Sequence, residues 1–81
     1  MVIAIVDAYD DPKIESDLGV FNSTFSLPAC TTANGCFKKI YASSRSRTDS
    51  GWSLEISLDV EWAHAIAPNA KIILVEAASN N

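Results

Sequence analysis

Two unbroken apolar runs, VIAIVD at residues 2–7 and KIILVE at residues 71–76, constrain this chain more than any other feature in it. A strand with one wet face alternates apolar and polar residues. A β-branched run without alternation reads instead as a strand covered on both faces, the pattern of a parallel sheet. Parallel neighbours need crossover connections, so the residues between the two runs must supply them. The first run ends in Asp7, which places that carboxylate at the carboxyl end of its strand.

The intervening sequence meets this demand. AYDDP at residues 8–12 reads as a turn, with Pro12 at the first position of a helix capped by Asp10 or Asp11. Ile14, Leu18, Phe21 and Phe25 then recur at helical spacing, predicting an amphipathic helix over 13–25 that stops before Pro28. FKKIYA at 37–42 is a short strand of mixed polarity, suited to a sheet edge. SSRSRTDS at 43–50 has the composition of an exposed loop. Asp49 or Ser50 caps a second helix over 51–66, and Pro68 follows it. The order β-α-β-α-β predicts an α/β fold, three-layered, with parallel strands and right-handed crossovers.

With 81 residues, 48% of them hydrophobic, the chain forms a single unit at most, or part of one. It opens directly on a core strand and closes soon after another, as a fragment of a larger domain would. The net charge of −4 argues against nucleic acid or an anionic membrane as partner. The cluster Arg45 to Arg47 reads as a solvated loop. No run approaches the ~20 apolar residues of a membrane span, and no basic start followed by an apolar run and cleavage site is seen in these residues.

Cys30 and Cys36 enclose TTANG, whose Asn34-Gly35 pair tolerates positive φ. A local disulfide is the first reading, worth roughly 2 kcal/mol by loop entropy, and it would imply an oxidising, extracellular compartment. Free thiols are the second. A metal site is the weakest, because no further cysteine accompanies the pair and His64 is the only histidine.

The sharpest oddity lies in LEISLDVEWAHAI. Wound at ~100° per residue from Leu54, this helix gathers Ser57, Glu61 and His64 near 280–340°, as its polar face. Glu55 and Asp59 fall elsewhere, near 100° and 140°, among Trp62, Ile66 and Ala63. Two carboxylates one turn apart repel, and the amino-terminal dipole relieves only the first. Either both are wet, or they share a proton in a coupled pair. Such a pair accepts a proton at acidic pH, where histidine is already protonated. His64, beside Glu61, reads as a solvated helix residue. Trp52 and Trp62 flank the acids and read as core; the alternative is that an indole desolvates the pair or borders a substrate subsite. Asp10 and Asp11 read as caps in preference to ligands. AASNN at 77–81 falls where α/β sheets place ligand sites, but its five residues establish none.

IAIVDAYDDP, SLPACTTANGCFKK and above all LEISLDVEWAHAIAPNAKIILVEA resemble the amino-terminal part of the catalytic domain of the sedolisins, the serine-carboxyl peptidases related to subtilisin. The resemblance runs from Val2 to about residue 80. It implies that Glu55 is the general base, in the place subtilisin gives to histidine, that Asp59 supports it, and that Asp7 extends the network. It also implies strands in the order 2-3-1 within a larger seven-stranded subtilisin-like sheet, secretion, and a peptide or protein substrate. The family's serine lies in a Gly-Thr-Ser segment, and no serine of this chain follows Gly-Thr. Its oxyanion-hole aspartate and calcium site also belong to the carboxyl-terminal part, so this chain is expected to carry no cofactor, to be inactive alone, and to self-associate through an uncovered sheet edge. A subtilisin triad would need His-Gly-Thr-His, which is absent. Two readings compete: a receiver-like signalling domain that binds magnesium through clustered acids, although the third strand ends in Glu76 where receivers carry Asp, and a remnant without catalysis.

Overall fold

The computed structural model describes residues 1–42 and 48–77. The Arg45 to Arg47 cluster, most of the predicted loop around it and the tail after Ala77 lie outside the described residues. The order is β1 (Val2–Ala8), α1 (Ile14–Phe25), β2 (Phe37–Tyr41), α2 (Ser50–Ile66) and β3 (Lys71–Ala77). All three strands are parallel, with β3 between β1 and β2. Counted from the β2 edge this is the order 2-3-1. The molecule is thus a small α/β domain with a three-stranded parallel sheet and two helices.

Each helix begins and ends for a local reason. In α2 the Asp49 side chain accepts the Trp52 amide at 3.0 Å, capping one of the amides that the first turn leaves free. At the start of α1, Asp11 Oδ1 accepts the Lys13 amide at 3.1 Å, shaping the turn at Pro12 while Lys13 itself occupies the cap position. Ser26 closes α1 in the left-handed region at φ 56°.

Register decides which side chains share a face. Ile3, Ile72 and Phe37 align across the sheet, as do Ile5, Leu74 and Lys39, and then Asp7, Glu76 and Tyr41. Against this face pack Ile14 and Leu18 of α1 and Ile56 and Val60 of α2, in one cluster with Phe37, Ile72 and Leu74. Burying each large aliphatic side chain is worth roughly 1.5–3 kcal/mol. The other face carries Val2, Val6 and Ile40, all exposed, Val6 at 71%.

This corrects three expectations. The sheet has helices on one face, making two layers among the described residues where three were predicted, and β1 is an edge strand with a bare side. Handedness follows from the same geometry. The step from β1 to β2 and the step back from β2 to β3 run in opposite directions across the sheet. Two right-handed crossovers would therefore put the helices on opposite faces, so with both on one face one crossover is of the rare left hand.

Candidate functional site: a chain of three carboxyls

Asp7 is the last acid of β1 and points to the helix-covered face, as its register partner Glu76 does on β3. Helix α2 packs over β1 and β3, and its core-facing arc is Ile56, Val60 and His64. That arc turns Asp59 down towards the end of β1 and leaves Glu55, one turn earlier, at the surface. Asp59 is side-chain hydrogen-bonded to Asp7 on one side and to Glu55 on the other. The three sequence-predicted residues form one chain, Asp7–Asp59–Glu55, running from buried to exposed.

All three carboxyls are raised above their ordinary values, for different reasons. Burial raises Asp7, and the Glu55 charge adds to it, against the hydrogen bond with Asp59. Asp59 is raised first by burial and further by the hydrogen bond and charge of Asp7, while its bond to Glu55 opposes. Glu55 is raised chiefly by its hydrogen bond to Asp59 and then by the Asp59 charge. The three carboxyls therefore titrate as one coupled set, and a proton shared along the chain relieves the repulsion between their charges. Asp7 Oδ2 is buried and meets no donor, which is the condition a proton on its neighbour relieves.

Glu55 borders an open cleft with Tyr9, Asp49, Gly51 and Trp52. Tyr9, at φ 66°, holds a backbone conformation unfavourable to an aromatic residue. Its amide donates to Ala77 O at 2.9 Å, and its ring meets Trp52 at a centroid distance of 6.4 Å. Trp52 is thus half-buried at the cleft. Trp62, expected in the core or beside the acids, is 65% exposed.

A second polar cluster lies at the same carboxyl end of the sheet. Lys39 Nζ donates to Asp10 Oδ1 at 2.9 Å and stands 3.9 Å from Glu76 Oε1, while the Asp11 amide donates to Glu76 Oε2 at 2.9 Å. Burial, first, and a hydrogen bond to Asp10 raise the Glu76 carboxyl to about 7, against the Asp11 amide and Lys39. Asp10 is therefore an ion-pair partner of Lys39, while Asp11 serves as a turn cap and amide donor.

The polar face of α2 does not meet solvent in the way its wheel predicts. Ser57 Oγ donates to Asp11 Oδ2 at 3.2 Å across the α1 junction, and Glu61 is raised by burial and by Asp17 and Asp11. His64 is fully buried, its Nε2 2.8 Å from Pro28 O. The exposed arc is the apolar one, with Leu54, Leu58, Trp62 and Ile66. Cys30 and Cys36 form a disulfide, framed by Asn34 Oδ1, which accepts the Thr31 and Cys36 amides, and by Gly35 at φ 80°. A ring nitrogen of His64 lies within 4.8 Å of both sulfurs of this disulfide, an association that sequence separation conceals.

No helix among the described residues is long and apolar enough to cross a membrane. Comparison with protein-family models, with curated proteins and with solved structures gave no match.

Proposed function

We propose that this chain is the general-base segment of an acid-active serine-type endopeptidase of the sedolisin kind, with a peptide or protein substrate and a secreted setting. The observation that carries the reading is the hydrogen-bonded chain Asp7–Asp59–Glu55, which runs from the end of β1 to the surface and ends on Glu55, a carboxyl raised by its bond to Asp59 and by the Asp59 charge. A serine hydroxyl supplied by the rest of the catalytic domain gives its proton to Glu55 as its oxygen attacks the scissile carbonyl carbon. Glu55 then passes that proton to the leaving amine. Asp59 holds Glu55 in place and takes up the charge difference between the two states. Asp7 anchors Asp59 from below the helix. An isolated carboxylate would be a weak base towards a hydroxyl; raising its proton affinity narrows that gap while leaving it usable at acidic pH, where imidazole is protonated.

Strand order 2-3-1 supports the same reading, as do the sequence motifs. The disulfide suits an oxidising compartment. The receiver-like alternative has less support, because the Lys39 ammonium already pairs with Asp10 beside Glu76, where the magnesium would have to sit.

The test is hydrolysis of a denatured protein substrate at about pH 3–5 by the polypeptide that joins this segment to a Gly-Thr-Ser-bearing region. Expected are activity abolished by Glu55→Gln, a fall in kcat on the order of 10²-fold or more with Asp59→Asn, and no turnover by the 81-residue chain alone. Full activity in Glu55→Gln would overturn the assignment.

A further inference from the structure

His64 is buried to 0% exposure on the core-facing side of α2, so the state of its two nitrogens has to be accounted for. Nε2 lies 2.8 Å from the Pro28 carbonyl oxygen. A carbonyl only accepts, so Nε2 carries the hydrogen, and in the neutral ring Nδ1 carries the lone pair. Nδ1 is buried and meets no donor. A buried acceptor left without a partner is destabilising. Nothing in the carboxyl chain uses this imidazole.

Its neighbours explain what it is suited to hold. A ligating nitrogen of His64 and the sulfurs of Cys30 and Cys36 all lie within 4.8 Å of one another. A histidine whose second nitrogen donates to a backbone carbonyl is the arrangement that fixes a metal-binding tautomer and orients the ring. Two thiolates and one imidazole suit zinc or another soft-to-borderline divalent ion. While the two sulfurs are joined in the disulfide they are unavailable as thiolates. Tetrahedral ligation at ~2.3 Å per bond would set them roughly 3.8 Å apart. The loop is exposed over residues 32–35 and is held chiefly at the surface, by the turn bonds of Asn34 and by those from Thr32 to Glu15, so a shift of that size need not disturb the core. Cys36 is half-buried beside an open cleft with Pro28, Asn34 and Asn69, which gives an ion and a reductant their route.

We propose that reduction of the Cys30–Cys36 disulfide converts this corner of the fold into a three-ligand metal site, Cys30 Sγ, Cys36 Sγ and the His64 imidazole, with the fourth position open to water. The step balances with a dithiol as reductant. It gives two electrons and two protons to the protein disulfide, yielding two thiols and becoming a cyclic disulfide itself. A divalent ion then displaces the two thiol protons to solvent. The site is separate from the carboxyl chain and does not depend on the peptidase reading.

Cobalt(II) is the probe, titrated anaerobically into the full chain after reduction. One equivalent is expected to bind, with a thiolate-to-cobalt charge-transfer band and strong tetrahedral ligand-field bands that zinc then bleaches. The oxidised chain is expected to show neither. His64→Ala is expected to weaken binding at least tenfold. Because that variant opens a hole in the core, zinc-edge X-ray absorption on the unsubstituted reduced chain supplies a second measurement, expected to fit two sulfurs with imidazole scattering. A reduced chain that takes up no cobalt, or a zinc shell lacking the imidazole, overturns the proposal.

Discussion

Glu55 and Asp59 look alike in sequence, yet their surroundings differ, and the difference is testable one residue at a time. The raised value of Glu55 comes first from the Asp59 hydrogen bond and then from the Asp59 charge, both of which Asp59→Ala removes. That of Asp7 comes first from burial, which the same substitution leaves largely in place. Carboxyl carbon NMR titration of Asp59→Ala should therefore show Glu55 returning towards the ordinary glutamate range while Asp7 stays raised. Glu55 remaining where it is in the parent chain would mean that the two carboxyls are not coupled. The helical wheel, by setting both acids off the polar stripe, makes the pair visible in sequence. It cannot show that Asp7 lies beneath Asp59, because that contact depends on how α2 crosses the end of β1. Only the resemblance put Asp7 with them.

Elements were legible wherever a local rule governs them. Asp49 as the cap of α2 and the edge position of the mixed-polarity β2 follow from nearest neighbours in sequence; the start of α1 does not, since Pro12 lies in the turn before the helix and Lys13, not Asp10 or Asp11, takes the cap position. What failed was the assumption that polar arcs face water and apolar arcs face protein. Ser57, Glu61 and His64 face the α1 junction, where Asp11 and the Pro28 carbonyl receive them, while Leu54, Trp62 and Ile66 stand exposed. A wheel ranks the arcs of a helix by polarity but holds no information about which neighbour each arc meets. The layer count failed similarly, because an apolar run such as VIAIV states what could be covered, and the two helices both cover the same side. The local rules themselves can be measured. Asp49→Ala removes the acceptor of the Trp52 amide and should cost about 1 kcal/mol in denaturant unfolding, with an unchanged m-value. No loss of stability would show that the first turn of α2 is held from elsewhere.

At the scale of the molecule, the acids set how stability depends on pH. Glu76 ionises at an ordinary value of 4.5 when unfolded and at about 7 in the fold, where burial withholds water from its charge. Between those values unfolding releases a proton, so rising pH favours the unfolded chain. The stability Glu76 contributes is fully present below about pH 4.5 and is lost as pH rises through about 7. Asp7, Asp59 and Glu61 are raised as well and act with the same sign. Lys39 is also raised, against its own burial, by Asp10 and Glu76, so its contribution is lost only in the alkaline range and leaves this window untouched. Thermal melts should therefore shift downwards between about pH 4.5 and 7, the reverse of a protein held by ionised carboxylates. They are best read at one low protein concentration, since the bare sheet face with Val2, Val6 and Ile40 favours association, which would itself raise the apparent melting temperature. Glu76→Gln keeps an acceptor for the Asp11 amide and has no proton to lose, so its melts should vary less with pH across this range. A parent chain that gains stability towards neutral pH, or a Glu76→Gln curve as steep as the parent's, would show that the buried carboxyl is ionised throughout and that Lys39 compensates it.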